Sequence, residues 1–434
     1  MIARILTPIL FITVLLLQYE RTHAGCNDTT EYKLGTIKEL SDTCGNGQLL
    51  PNTYCKLLEV QCPALKPMQV ELRITPPDAG VAERGTVVFS SGGNGVGFYG
   101  SAVGPLTLFK ELTAMGFRII DRSWLGTQGW TSSEGGMRRE SCRYATLLLW
   151  IYNNIYKKGA FVISGNSGGS AEIGYALTSW GMDNIVNLAV PTSGPAVARL
   201  DYACPGTPTD EWKSISDTII PAGAMTCTPG ISLSPTDGVC RQCGGTPTVQ
   251  DWIYDGVVHP GGLMNYPKTK VHFIFGADDC DGPPVPIGLT WAKYITSECE
   301  IEFAANTPHL IPGTPEGREA IRKAIDLGTQ SKSAVESGKE SNSGLKTFRL
   351  EQNRPNPFMN YTVINFYLPK EAFVILKVID ELGRETATIL NCKMTAGSHS
   401  VTFNSNELHP GIYFYCLRAG SLQDTKIMFL INDK

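Results

Sequence analysis

Gly165-Asn166-Ser167-Gly168-Gly169 sets one hydroxyl among glycines at a spacing that suits a serine nucleophile. A short apolar run, residues 161–163, leads into it. An Ala-rich stretch with helical character, 169–179, leads out. A strand turning sharply into a helix strains the serine backbone, and flanking side chains would collide with neighbouring strands, hence the glycines. Such a turn lifts the hydroxyl above the sheet edge. It also aims the N–H of Gly168 at a developing oxyanion, near the positive end of the helix. No lysine follows as it would in a phosphate-binding loop. A serine hydroxyl is a poor nucleophile alone; it needs a base, and the base needs an orienting carboxylate.

The elements that must position these groups alternate along the chain. Strand signals fall at 70–74, 86–89, 117–120, 161–163, 184–190, 271–275 and 301–304. Helical spacing falls at 106–115 and 138–156. Continuous apolar strands alternating with helices imply a largely parallel sheet covered on both faces. Residues 196–266 break the rhythm with four Cys, many Pro and Gly, and little periodicity. A stretch of that length reads as a functional insertion, here a disulfide-braced lid.

Together these parts resemble the α/β-hydrolase fold. The resemblance implies the chain order serine, acid, histidine. His309, His399 and His409 follow the serine and a candidate acid; the last two belong to the C-terminal part, so His309 is the expected base. It stands in a loop after the 301–304 strand, where such sheets place catalytic groups. The acid is expected after the 271–275 strand, where Asp278, Asp279 and Asp281 compete. Asp279 stands three residues after Gly276, a spacing familiar in the family. A second oxyanion donor is expected from Ser90-Ser91-Gly92-Gly93-Asn94-Gly95, through the N–H of Asn94 or Gly93. This loop lacks the leading His of HGGG esterase loops. Trp124 and Trp130, after another strand, are candidates to rim the pocket and stack on substrate, or to pack beneath the lid.

Thirteen Cys point to an oxidising compartment, and the odd total leaves at least one unpaired within a monomer. Cys240-Arg-Gln-Cys243 has metal-ligand spacing, but no partner pair accompanies it, so a disulfide-stapled loop is expected and no metal or other cofactor. A Cys280–Cys299 bridge would pin the acid loop. The N-terminus carries Arg4 and then a nearly unbroken apolar run to Leu17, too short to span a membrane, with Ala24 a fitting cleavage point. The formal net charge of −4 supplies no basic footprint for nucleic acid and no polybasic membrane patch.

Residues 328–346, rich in Ser, Lys, Glu and Gly, read as a linker. Beyond it, β-rich runs at 361–367, 373–379, 400–403 and 412–417 alternate with turns. Leu350-Glu351-Gln352-Asn353-Arg354-Pro355-Asn356-Pro357-Phe358 resembles the opening of the type IX secretion C-terminal sorting domain. Val378-Ile379-Asp380-Glu381-Leu382-Gly383-Arg384-Glu385 and Leu408-His409-Pro410-Gly411-Ile412-Tyr413 fit it in register. The resemblance implies an Ig-like sandwich that engages the type IX secretion machinery and delivers the chain through the periplasm to the cell surface or medium. Cys392 and Cys416 stand outside that pattern and are candidates to pair with each other.

The expected organisation is therefore a signal peptide over 1–24, an α/β-hydrolase domain over 25–327, a linker over 328–346, and an all-β sorting sandwich over 347–434. The chemistry expected is ester cleavage through an acyl-enzyme. A serine peptidase on the same fold would need a charged anchor for a peptide terminus, for which Glu172 and Arg122 are candidates. A non-catalytic surface binding protein is the third reading.

Overall fold

The computed structural model describes residues 33–330 and 348–430, apart from 46–48, 133–134, 234–238, 242–246, 260–261, 281, 352, 354–357, 359–360, 381–383, 406–407 and 421. The expected signal peptide and most of the expected linker lie outside the described residues. So do Cys26, Cys243 and Asp281.

Nine strands form one sheet in the order β1-β2-β3-β5-β4-β6-β7-β8-β9. They run β1 Thr36–Ser41, β2 Tyr54–Gln61, β3 Met68–Thr75, β4 Gly85–Ser90, β5 Phe117–Trp124, β6 Ala160–Asn166, β7 Leu188–Thr192, β8 Lys270–Gly276 and β9 Cys299–Ala304. The pairs from β1 to β3, and β3 with β5, are antiparallel; every pair from β5 through β9 is parallel. From β2 onward this is the strand order of the α/β-hydrolase fold, with β1 added at the edge. The first two strands carry mixed exposure, with charged residues along them, and gave no clear alternation in the sequence.

The central strands are apolar throughout because both faces are covered. Val88, Ile120, Ile163 and Phe273 belong to one core cluster, while Val87, Ile119, Val162 and Ile274 belong to the other. Adjacent residues point to opposite faces of a strand, so each strand feeds two cores at once. The layer helices are α1 Val103–Ala114, α2 Cys142–Asn154, α3 Gly168–Thr178, α4 Pro284–Tyr294 and α5 Pro315–Thr329. The single helix expected over 138–156 is two, since Met137–Glu140 is a separate turn that stops at Ser141. α5 reaches Thr329, so the first residues of the expected linker are helical.

The order β5-β4-β6 matters for function. The chain leaves β4, crosses to β5 on one side, and returns to β6 on the other. Ser90 at the end of β4 therefore sits in register with Gly165 at the end of β6. Ligands in open α/β sheets bind at such a reversal, outside the carboxyl ends of the strands.

The region between β7 and β8 is more regular than its sequence suggested. It holds helices Leu200–Ala203, Asp210–Ile219 and Val249–Asp255. Trp212 is buried there, stacked on Tyr202 with ring centres 5.0 Å apart. Cys204–Cys240 closes the region internally, and Cys227–Cys280 ties it to the loop after β8.

The expected Cys280–Cys299 bridge is not formed; Cys280 pairs with Cys227 and Cys299 is free. Strand direction explains this. Cys299 opens β9 opposite Val271, at the start of β8, whereas Cys280 follows the far end of β8. About 3.3 Å of rise per residue over β8 separates them too widely for a bridge. Burial pushes the Cys299 thiol up to about 12.

The C-terminal residues form two antiparallel sheets, β10-β11-β14 and β13-β12-β15-β16, around a core of their own. These strands are β10 Arg349–Leu350, β11 Tyr361–Leu368, β12 Ala372–Asp380, β13 Glu385–Met394, β14 Gly397–Asn404, β15 Gly411–Ala419 and β16 Leu422–Leu430. The Tyr415 hydroxyl donates to the Glu351 carbonyl and accepts from Asn353 N–H, both at 2.8 Å, fastening the entry segment. Cys392 and Cys416 do not pair. They lie on β13 and β15, which flank β12 on opposite sides. Two strand spacings, about 10 Å, exceed the reach of a disulfide.

Cys62–Cys142 joins the β2–β3 connection to α2 across 80 residues of sequence. Replacing both cysteines by Ala is expected to lower unfolding free energy by about 2–4 kcal/mol, read from urea denaturation. An unchanged midpoint would show that the bridge contributes nothing.

Candidate active site

Ser167 lies where β6 turns into α3, with φ 55° and ψ −112°. A positive φ is uncommon for a residue with a side chain and persists only where the surroundings impose it. Here Ser167 N–H donates to the Thr192 carbonyl at the end of β7, 2.8 Å away. The neighbouring residues must be small. A methyl group on Gly165 would lie 2.7 Å from the Gly169 backbone, and one on Gly168 would overlap the Gly93 carbonyl. The serine thus stands on the turn its sequence predicted.

The loop after β4 packs against this turn. The would-be Cβ of Gly92 is 3.5 Å from Ser167 Cβ. Gly95 N–H donates to the Gly92 carbonyl at 3.1 Å, closing a turn whose central residues are Gly93 and Asn94. Gly93 has φ 60°, a conformation a side chain would strain. The Asn94 carbonyl accepts from Trp130 N–H and its amide donates to the Thr127 carbonyl, each at 3.0 Å. The loop's two candidate oxyanion donors, Gly93 and Asn94, therefore sit on a loop that packs against the Ser167 turn and is anchored from both directions.

Of the described candidate acids, Asp279 lies against His309. Its two carboxylate oxygens lie 3.1 and 3.0 Å from His309 Nδ1, and its side chain is buried while the imidazole is about one-third exposed. Asp278 turns elsewhere, accepting from the Thr226 hydroxyl at 2.6 Å. The two loops are packed backbone to backbone: Asp278 N–H donates to the Thr307 carbonyl at 3.0 Å, and any side chain at Gly276 would overlap it. Two other histidines have partners elsewhere. His259 reaches Ser179 at 2.8 Å, and His272 contacts Glu300 and Glu302.

Trp124 and Trp130 are not at the pocket surface; they are 0% and 1% exposed. Both faces of β5 are covered, so its last residue points into the core rather than to a rim. Trp124 Nε1 donates to Glu172 Oε1 at 2.7 Å, and Trp130 packs against Tyr175. They pack, and they present no face to a ligand.

Glu172 and Arg122 are equally withdrawn. Both are fully buried and paired with each other. Arg122 also donates to the Gly95 carbonyl at 2.8 Å and to the Ser90 hydroxyl at 3.3 Å. A strut thus runs from α3, the helix that begins at the nucleophile turn, to the glycine loop. It leaves neither residue free to bind a peptide terminus. Sequence reasoning named both residues without seeing this role, since two charges fifty positions apart carry no local signal of pairing.

Residues 354–431 match the family model described as the secretion system C-terminal sorting domain. The chain is accordingly an exported protein, bound for the cell surface or the medium and handled by the type IX secretion machinery. No helix among the described residues is long and apolar enough to cross a membrane. Among solved structures, the chain is similar to Est1E from Butyrivibrio proteoclasticus, with 13% identity over 63% of this chain and 98% of that one and a TM-score of 0.40. It is similar to a bacterial heroin esterase at 15% identity, over 74% and 91%, with a TM-score of 0.40. An alpha-beta serine hydrolase homologue from Coxiella burnetii aligns at 13% identity over 65% and 99%, with a TM-score of 0.36. No curated protein aligns significantly with the chain. The fold assignment rests on the strand order and parallel pairing given above.

Glu172→Gln removes one charge of a buried pair and strands the other. The expected cost is about 3–5 kcal/mol of stability, measured by chemical denaturation. A cost near zero would mean that water reaches Arg122.

Proposed function

We propose that the chain is a secreted serine hydrolase that cleaves carboxylic esters through an acyl-enzyme. The observation that carries this reading is the buried Asp279 carboxylate on His309 Nδ1, on loops that meet at the end of the sheet bearing the strained Ser167.

Asp279 accepts a hydrogen bond from His309 Nδ1–H. That holds the neutral ring in the tautomer whose Nε2 is basic. His309 takes the Ser167 proton as the hydroxyl attacks the ester carbonyl. The oxygen gains negative charge and is met by N–H groups of Gly168 and of the Gly93–Asn94 turn. The imidazolium returns its proton to the departing alcohol, leaving an acyl-serine. Water, deprotonated by His309, then releases the acid and restores the serine. Burial of Glu172 and Arg122 supports the ester reading over the peptidase one, because the candidate anchors for a peptide terminus are already used. Trp124 and Trp130, both buried, are not available to stack on substrate.

Hydrolysis of a short p-nitrophenyl acyl ester by the secreted protein tests the proposal. Ser167→Ala is expected to lower kcat by three orders of magnitude or more, roughly the cost of losing a triad nucleophile. Asp279→Asn is expected to lower it by about 10⁴-fold at neutral pH by favouring the wrong tautomer. Activity unchanged in Ser167→Ala would remove that serine from the mechanism. A wild type that neither turns over esters nor is labelled by a fluorophosphonate would overturn the reading as an enzyme.

A further inference from the structure

Asn166, the residue before the nucleophile, holds the His309 loop by both ends of one side-chain amide. Its Nδ2 donates to the His309 carbonyl at 3.1 Å, and its Oδ1 accepts from Ile311 N–H at 3.3 Å. The partners fix the orientation: a carbonyl requires a donor, and a backbone N–H requires an acceptor. The amide therefore pairs with the loop as an adjacent strand would, one residue on each side of Leu310. The Thr192 hydroxyl, at the end of β7, donates to the same Oδ1 at 2.9 Å and sets the amide plane from behind. Asn166 is itself the last residue of β6 and only 4% exposed, so little solvent competes for these bonds.

The loop is also tied down on either side of His309, by Asp278 N–H on the Thr307 carbonyl, the Thr307–Thr314 hydroxyl pair and Gly313 N–H on the Leu310 carbonyl, but it is Asn166 that grips the main chain of His309 and Ile311. The loop leaves β9 through Asn306, at φ 50°, and enters the short 3₁₀ turn Ile311–Gly313. His309 is about one-third exposed and Leu310 is 47% exposed, so packing alone does not fix the ring. Asp279 holds one nitrogen of the ring but does not fix the main chain that carries it. We propose that Asn166 is a positioning residue that couples the nucleophile turn to the base: one short side chain sets the backbone of His309 relative to Ser167. Its chain neighbour Ser167 and its hydrogen-bonded neighbour His309 are thereby held by the same rigid strand end. This inference rests on the reading of His309 as the base. It assigns a purpose to the variable position of the nucleophile motif, where the side chain could otherwise be anything that fits.

The test compares wild type with Asn166→Leu and Asn166→Asp. Leu keeps the approximate volume and removes both bonds. Asp keeps the acceptor for Ile311 N–H, removes the donor to the His309 carbonyl and, when ionised, adds negative charge beside the loop. In both, kcat on a p-nitrophenyl ester is expected to fall about 10- to 100-fold with KM little changed, the effect of misplacing a catalytic group by a fraction of an ångström to one ångström. In Asn166→Asp the acid limb of the kcat/KM profile should move to higher pH, because a nearby carboxylate favours the imidazolium and the base must be neutral. A second readout needs no substrate: the downfield proton resonance of His309 Nδ1–H, assigned with His309→Gln, should shift or broaden in both variants. Unchanged kcat and an unchanged Nδ1 proton, with only a lower melting temperature, would overturn the proposal and leave Asn166 structural. If wild type lacks esterase activity, the reading of the enzyme fails separately, and the Nδ1 resonance still decides whether Asn166 sets the ring.

Discussion

A guanidinium and a carboxylate that never meet solvent hold the site together. Arg122 projects from β5 and Glu172 from α3, and each is fully buried. Taking both charges out of water costs several kcal/mol apiece, and their attraction offsets this only if the remaining donors and acceptors are also satisfied. Here they are matched to fixed groups: the Gly95 carbonyl, the Ser90 hydroxyl and the Trp124 indole. The cluster joins the helix that follows Ser167 to the glycine loop after β4. Moving either element would strand a charge, so the distance between them is narrowly set. The glycines give these backbones room to approach; the ion pair gives them a reason to stay.

The rest of the site hangs from the ends of parallel strands. β4, β6, β7, β8 and β9 deliver the glycine loop, the serine, Thr192, the acid loop and the histidine loop to one end of the sheet. Five segments from widely separated stretches of sequence meet there because parallel pairing puts all their carboxyl ends at the same end. Main-chain bonds between the acid and histidine loops then let Asp279 and His309 meet with little side-chain freedom to lose.

Much of this was legible in the sequence where the signal was local. The apolar runs of β4 to β8 and the glycine spacing around Ser167 are local, and the fold class and the sharp turn at Ser167 followed from them. The choice among Asp278, Asp279 and Asp281 was less legible, because three carboxylates within four residues differ only in where the loop points them. Tertiary pairing was not legible at all. Cys280 and Cys299 looked like neighbours until parallel β8 and β9 put them at opposite ends, and Cys392 and Cys416 until β12 came between them. Trp124 and Trp130 were misplaced for a related reason. The end of a strand suggests a rim, but β5 is covered on both faces. The helices at 210–219 and 249–255 were missed because their surroundings, rich in Gly, Pro and Cys, masked short amphipathic stretches.

The Cys227–Cys280 bridge has a bearing on timing. Cys280 is the immediate neighbour of Asp279, and the same segment of the insertion is bonded to the acid loop through Thr226. In the reducing cytoplasm this covalent bond does not form. An exported chain therefore completes the scaffold of its acid loop only after crossing into an oxidising compartment. The scaffold of the Asp279–His309 pair is thus completed along the protein's route: this covalent link is supplied by the place it is going, not by the place where it is made.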